Sequence, residues 1–202
     1  MSADKTTNMY KVDKATYEKL LHDNITKTYR KCGDNVKADI DAEGKVIASS
    51  PGLADRIEIM AEQKPFFTLK YHKDNFSSNH PVRLLNPAKS NLDKISKQIL
   101  QKVNAQARSI TRFNQWRSTK ESLDWFRNLP NKHRRGFIQF DIVDFYPSIS
   151  SDLLSKSLEY VRSIGVDLSD QDISIIWNCR KSLLFCNGSS WEKKDSGMFD
   201  VT

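Results

Sequence analysis

Two carboxylates close an apolar run. Gly136-Phe-Ile-Gln-Phe-Asp141-Ile-Val143 is β-branched, aromatic and almost continuously apolar, and Asp141 and then Asp144 follow at its end, ahead of Phe145-Tyr146-Pro147. An ionised acid at the end of a buried strand loses hydration and needs a cation or hydrogen-bond donors. Two chemistries satisfy that need. The acids can cap the following turn, or their oxygens, with a backbone carbonyl, can bind a divalent ion such as Mg²⁺.

The second chemistry-bearing feature is cationic. Residues 64–135 hold 16 Lys+Arg and four acids, whereas the rest of the chain holds 16 Lys+Arg and 21 acids, within a formal net charge of +7. A basic middle between acidic ends suits a polyanion-facing surface, or a solvated Lys-rich face. Between Arg108 and Arg127 the bases interleave with Phe113, Trp116, Trp125 and Phe126. That mixture suits phosphate contact with base stacking, and equally a helix that buries its rings.

The elements that position these groups follow from local pattern. Residues 13–32 carry Tyr17, Leu20, Leu21, Ile25 and Tyr29 at helical spacing, with Gly33 as the stop. Residues 34–50 are polar, and Asp41-Ala-Glu-Gly44 reads as a turn. Ser50-Pro51 opens a short helix to about Ala61. Phe66–Tyr71 and Val82–Leu85 read as a strand and its return. Ser90 caps a helix of about seventeen residues with Leu92, Ile95, Ile99 and Val103 on its apolar stripe, and a second helix spans Thr119–Leu129. The 136–143 run reads as a strand buried on both faces. Ser150 or Ser151 caps the next helix, Ser169-Asp170 starts another, and Asn187-Gly188 is a hairpin turn between Leu183–Cys186 and Ser190–Lys193.

Composition excludes several classes. At 202 residues and 38% hydrophobic content the chain can bury a core. Its most apolar run, Ile173–Trp177, is far short of the ~20 residues a membrane helix needs. The N-terminus carries no apolar signal segment. Three cysteines without Cys-x-x-Cys spacing argue against a disulfide scaffold or zinc site and for a reducing compartment, nuclear or cytoplasmic.

Taken together, Phe137-Ile-Gln-Phe-Asp141-Ile-Val-Asp144-Phe-Tyr146-Pro-Ser-Ile149 followed by a capped helix resembles motif A of reverse transcriptases of the retroelement, Penelope-like or telomerase-like branch. Phe67-Thr-Leu-Lys70-Tyr-His72-Lys73 is similar to the basic fingers strand of that group (Leu-Pro-Lys-x-His-Lys), and Val82-Arg83-Leu-Leu85-Asn-Pro87 to its return, with Leu84 where proline is common.

The resemblance implies an α+β chain with a right-hand polymerase fold. It divides the chain into a helical extension (1–63), a basic fingers region (64–135) and a partial palm (136–202) stopped before motifs B and C. Asp141 and the carbonyl of Ile142 would bind Mg²⁺ or Mn²⁺. Lys70, Lys73, Arg83, Asp144, Phe145 and Tyr146 would surround a deoxynucleoside triphosphate, Tyr146 as the gate against a 2′-hydroxyl. Lys89, Lys94, Lys97, Arg108, Arg112 and Arg117 would hold an RNA template and DNA primer. The chemistry would be two-metal nucleotidyl transfer. No Asp-Asp pair occurs in the 202 residues, so the chain is expected to be a polymerase fragment, inactive alone. A non-catalytic nucleic-acid-binding module is the alternative, and a purely structural α+β domain the third.

Overall fold

A computed structural model describes the chain except residues 34, 51, 58–62, 75, 77–79, 90–91, 113–114, 143–148 and 195–202. The described residues form a mixed helix-and-sheet fold with six α-helices and two small antiparallel sheets.

Helix α1 (Lys14–Thr28) starts where the Asp13 carboxylate accepts from Thr16 N at 2.9 Å, and that backbone bond draws the acid's pKa below its ordinary value. The helix is shorter than the expected 13–32 span. Residues Tyr29–Lys31 leave it as strand β1, and Tyr29, on the expected helical stripe, is buried from a strand position.

The expected turn at Asp41–Gly44 is instead the interior of helix α2 (Asn35–Ser49). Val36, Ile40, Ile47 and Ala48 pack into the core from one side of it. An isolated glycine is tolerated in a helix once tertiary packing offsets its entropy cost. Within the expected Ser50–Ala61 helix the described residues show a 3₁₀ turn at Ala54–Arg56; Pro51 and residues 58–62 lie outside the described residues.

Strands β2 (Phe66–Leu69) and β3 (Val82–Leu85) pair antiparallel, with Thr68 opposite Arg83. Helix α3 (Asp93–Thr111) follows. Ser90, its expected cap, lies outside the described residues, and Leu92 at the cap position makes no side-chain bond. Helix α4 (Thr119–Asn128) is capped by Ser118, helix α5 (Ser151–Ser163) by Ser150, and helix α6 (Asp170–Cys179) by a reciprocal Ser169–Asp172 capping box. Strands β4 (Leu184–Cys186) and β5 (Ser189–Lys193) meet at Asn187-Gly188, whose φ values of 51° and 68° are those of the twist-matched hairpin turn.

The larger sheet has the order β1-β5-β4. Tyr29 stands opposite Lys193, and Arg30 Nε reaches Glu192 Oε1 at 2.8 Å across the register. Ile25, Tyr29 and Leu184 fuse α1 to this sheet. Val103, Leu158, Val166, Leu168 and Ile176 form the helical core of α3, α5 and α6. Ala48, Leu92 and Ile175 bring α2 onto α6.

The largest departure from expectation is the 136–143 run. Residues 136–142 lie outside any strand, and instead of being buried on both faces they are exposed: Ile138 keeps 82% and Phe140 85% of its surface. Val143 falls outside the described residues. Strand propensity reports fit to a pleated, half-buried surface, and an apolar run with no ladder alongside it has nothing to pair with.

Candidate nucleic-acid interface

The β2–β3 hairpin is the best-formed part of the expected site. Its ladder continues one step, with Lys70 N donating to Pro81 O at 2.8 Å, and Lys73 N donates to Lys70 O at 3.1 Å to start the turn. Strand alternation sets Thr68 and Lys70 on one face of β2, with Arg83 facing Thr68 across the pair. Phe67 and Leu69 point the other way and are buried, Phe67 stacking on Tyr17 of α1 with centroids 4.7 Å apart. Beyond β3, buried Asn86 donates to Leu183 O at 3.1 Å and accepts from Ala88 N at 3.2 Å, tying the returning strand to the approach to β4.

A third segment joins this hairpin. Ala3 bridges Leu69 in parallel sense; Asp4 N donates to Leu69 O at 2.8 Å and Leu69 N to Ser2 O at 3.2 Å. Asp4 then lies against Arg83, with Nη1 and Oδ1 3.4 Å apart; the carboxylate side chain is 8% exposed and the guanidinium side chain 39%. Asp4 Oδ2 and Thr68 Oγ1 are buried without a hydrogen-bond partner. Sequence reasoning missed Asp4 because its partner is some eighty positions away and nothing local marks the pairing. Removing Arg83 strands a largely buried carboxylate. Arg83→Ala is therefore expected to cost about 1–2 kcal/mol, the exposure of the guanidinium keeping the figure low. Urea denaturation of Arg83→Ala, Asp4→Ala and the double variant measures it, and a coupling energy near zero would refute the pairing.

The other expected nucleic-acid contacts are dispersed. Lys89, Lys94, Lys97, Arg112 and Arg117 are exposed and Arg108 is half-buried. On α3 the neighbouring Lys102 is engaged by Asp167 at 2.6 Å; that bond raises the lysine's pKa and lowers the aspartate's.

Asp141 and Ile142 are exposed, and among the described residues no hydrogen bond or ion pair reaches the Asp141 carboxylate. Asp144, Phe145 and Tyr146 lie outside the described residues, as does Phe113. Among the described residues no group of three or more His, Cys, Asp or Glu is placed to hold a metal ion. A single exposed carboxylate offers little of the six-oxygen shell Mg²⁺ requires, so the described residues alone do not fit the metal. The Cys186 thiol is pushed up by burial, which disfavours a thiolate ligand.

The residues 116–138 make a second cationic surface, with rings at its centre. Trp116 and Trp125 centroids are 4.9 Å apart, Phe126 and Phe137 5.5 Å, and Lys132 Nζ stands 5.4 Å over Phe126. Trp125 and Phe126 were visible in the sequence as part of a basic-aromatic stretch. The participation of Phe137 was not, because its run reads as a buried strand.

No helix among the described residues is long and apolar enough to cross a membrane. No protein-family model, curated protein or solved structure matches this chain.

Proposed function

We propose that this chain is the fingers and first palm segment of an RNA-directed DNA polymerase, a right-hand fold in which Asp141 is one of the catalytic carboxylates. The observation that carries the reading is the β2–β3 hairpin. It sets Lys70 on the same face as Thr68 and places Arg83 opposite Thr68, all three 58 to 73 positions ahead of Asp141, in the chain order the reverse-transcriptase resemblance requires. A guanidinium there can pair with phosphate while its plane stacks on a base.

Divalent ions would supply charge neutralisation at the reacting phosphate, and the remaining carboxylates must come from outside these 202 residues, which contain no Asp-Asp pair. The chain's own residues would orient the triphosphate through Lys70, Lys73 and Arg83 and exclude the ribose 2′-hydroxyl at Tyr146.

The test is RNA-templated primer extension by a polypeptide that carries this chain together with a Tyr-x-Asp-Asp segment from the same reading frame. Tyr146→Ala is expected to relax discrimination against ribonucleotides by about 100-fold, since opening a small pocket forfeits about that much selectivity. Unchanged sugar selectivity removes Tyr146 from the gate. A non-catalytic nucleic-acid-binding module is the second reading, favoured by the exposed bases of residues 117–135; it gains if the joined polypeptide binds RNA and extends nothing.

A further inference from the structure

Helix α4 buries none of its residues. Its rings are instead clamped by the chain on either side: Trp116, ahead of the helix, meets Trp125, and Phe137, beyond it, meets Trp125 at 6.5 Å and Phe126 at 5.5 Å. Asn131 (φ 55°) and a 3₁₀ turn at Lys132–Arg134 fold the chain back for the second contact. The cluster remains open to solvent, with Trp116 46%, Phe126 42% and Phe137 58% exposed. A groove of about 360 Å³ runs beside it, lined by Trp125, Leu129, Arg135, Gly136, Phe137 and Ile138. That volume lies within the range of sites that hold flat organic groups.

The charge around the groove is predominantly positive. Arg117, Lys120, Arg127, Lys132, Arg134 and Arg135 are all exposed. The two acids of the segment are engaged locally: Glu121 accepts from Arg117 N at 2.7 Å, and Asp124 pairs with Arg127 at 3.4 Å. Rings and arginines also suit a protein interface, but a protein partner would have to bring acids opposite six exposed cations, a charge that a nucleic-acid strand supplies at every phosphate. A duplex is a poor match, since its base faces are stacked away. A single strand offers π-faces for the rings and phosphates for the cations at the same time.

We propose that residues 116–138 form a platform for single-stranded nucleic acid, with bases stacking on Trp125 and Phe137 and phosphates held by Arg127 and Arg135. This surface is separate from the β2–β3 hairpin and requires no catalysis; it rests on the second reading above, the nucleic-acid-binding module, and needs Phe137 open to solvent.

The test is a tryptophan-fluorescence titration of the whole chain with short oligo(U) and oligo(dT), and with a duplex of the same length, over a range of salt. Quenching by both single strands is expected, with the duplex at least tenfold weaker. Phe137→Ala is expected to weaken binding about tenfold, the usual loss for one stacking ring. Arg127→Gln with Arg135→Gln leaves the rings in place and should lower the slope of log affinity on log salt by about 1.4, the single-strand value for two phosphate contacts. Duplex binding as tight as single-strand binding would overturn the platform, as would unchanged affinity in Phe137→Ala or an unchanged salt slope in the charge variant. A concentration-dependent dimer abolished by Phe137→Ala would also overturn it, assigning the patch to a second copy of the chain.

Discussion

On the proposed polymerase reading, Asp141→Asn is expected to reduce primer extension by about 10³-fold or more in a polypeptide that joins this chain to a Tyr-x-Asp-Asp segment, a loss of about 4 kcal/mol in transition-state stabilisation. Asparagine keeps the size of the side chain and one acceptor oxygen but removes the negative charge. On the proposed reading the site loses a charge that would balance the reacting phosphate, with little change in packing. The exposure of Asp141 helps the experiment, because the substitution disturbs no buried contact among the described residues. Stability should stay within about 0.5 kcal/mol of the parent, the usual range for surface changes. Loss of activity with unchanged thermal unfolding supports a role at the reacting phosphate. Retained extension would remove Asp141 from the reacting centre.

Leu184→Ala is expected to destabilise the chain by about 3 kcal/mol, lowering the unfolding midpoint by about 6–12 °C. Leu184 is wholly buried in β4, and it packs with Ile25 and Tyr29 from the first thirty residues. Deleting its branched end leaves a cavity that β5, held by ladders on both sides, has little freedom to fill. The shape of the transition carries as much information as its midpoint. A single lowered transition, seen alike by far-ultraviolet dichroism and by Trp191 fluorescence with Trp116, Trp125 and Trp177 replaced by Phe, means that the N-terminal helix and the C-terminal hairpin unfold together. Two separated transitions would show that their shared core couples them weakly.

What the sequence revealed was what local chemistry decides. Asn187-Gly188 marks its hairpin because only left-handed backbone closes that turn, and Ser118, Ser150 and Ser169 mark helix starts because their hydroxyls satisfy otherwise orphaned N–H groups. The β2–β3 pair was legible for a similar reason, two β-prone runs separated by a polar loop. Helix α2 was obscured because Asp41 and Gly44 resemble a turn, and only tertiary packing against α6 shows which stripe is buried. β1 has three residues and takes its partner from the far end of the chain, so no window of sequence displays it. The Asp4–Arg83 pair is hidden in the same way. Residues 136–142 went astray in the opposite direction: their composition fits a central strand, and the ladder that would make them one is not present among the described residues. Of the candidate site, the residue types and their order were readable, whereas the engagement of Arg83 by Asp4 and the ring cluster around α4 needed coordinates.

The pairing of β1 with β5 has a consequence for how the chain comes off the ribosome. Arg30 meets Glu192 across 162 positions. At about 5–20 residues per second, Tyr29–Lys31 waits roughly 10–30 s for the strand that completes its ladder. During that interval α1 has an apolar face without its sheet, and β1 an edge without its neighbour, the kind of surface other nascent chains can pair with. Whatever folds first does so without this ladder, which closes only once residues 189–193 are available.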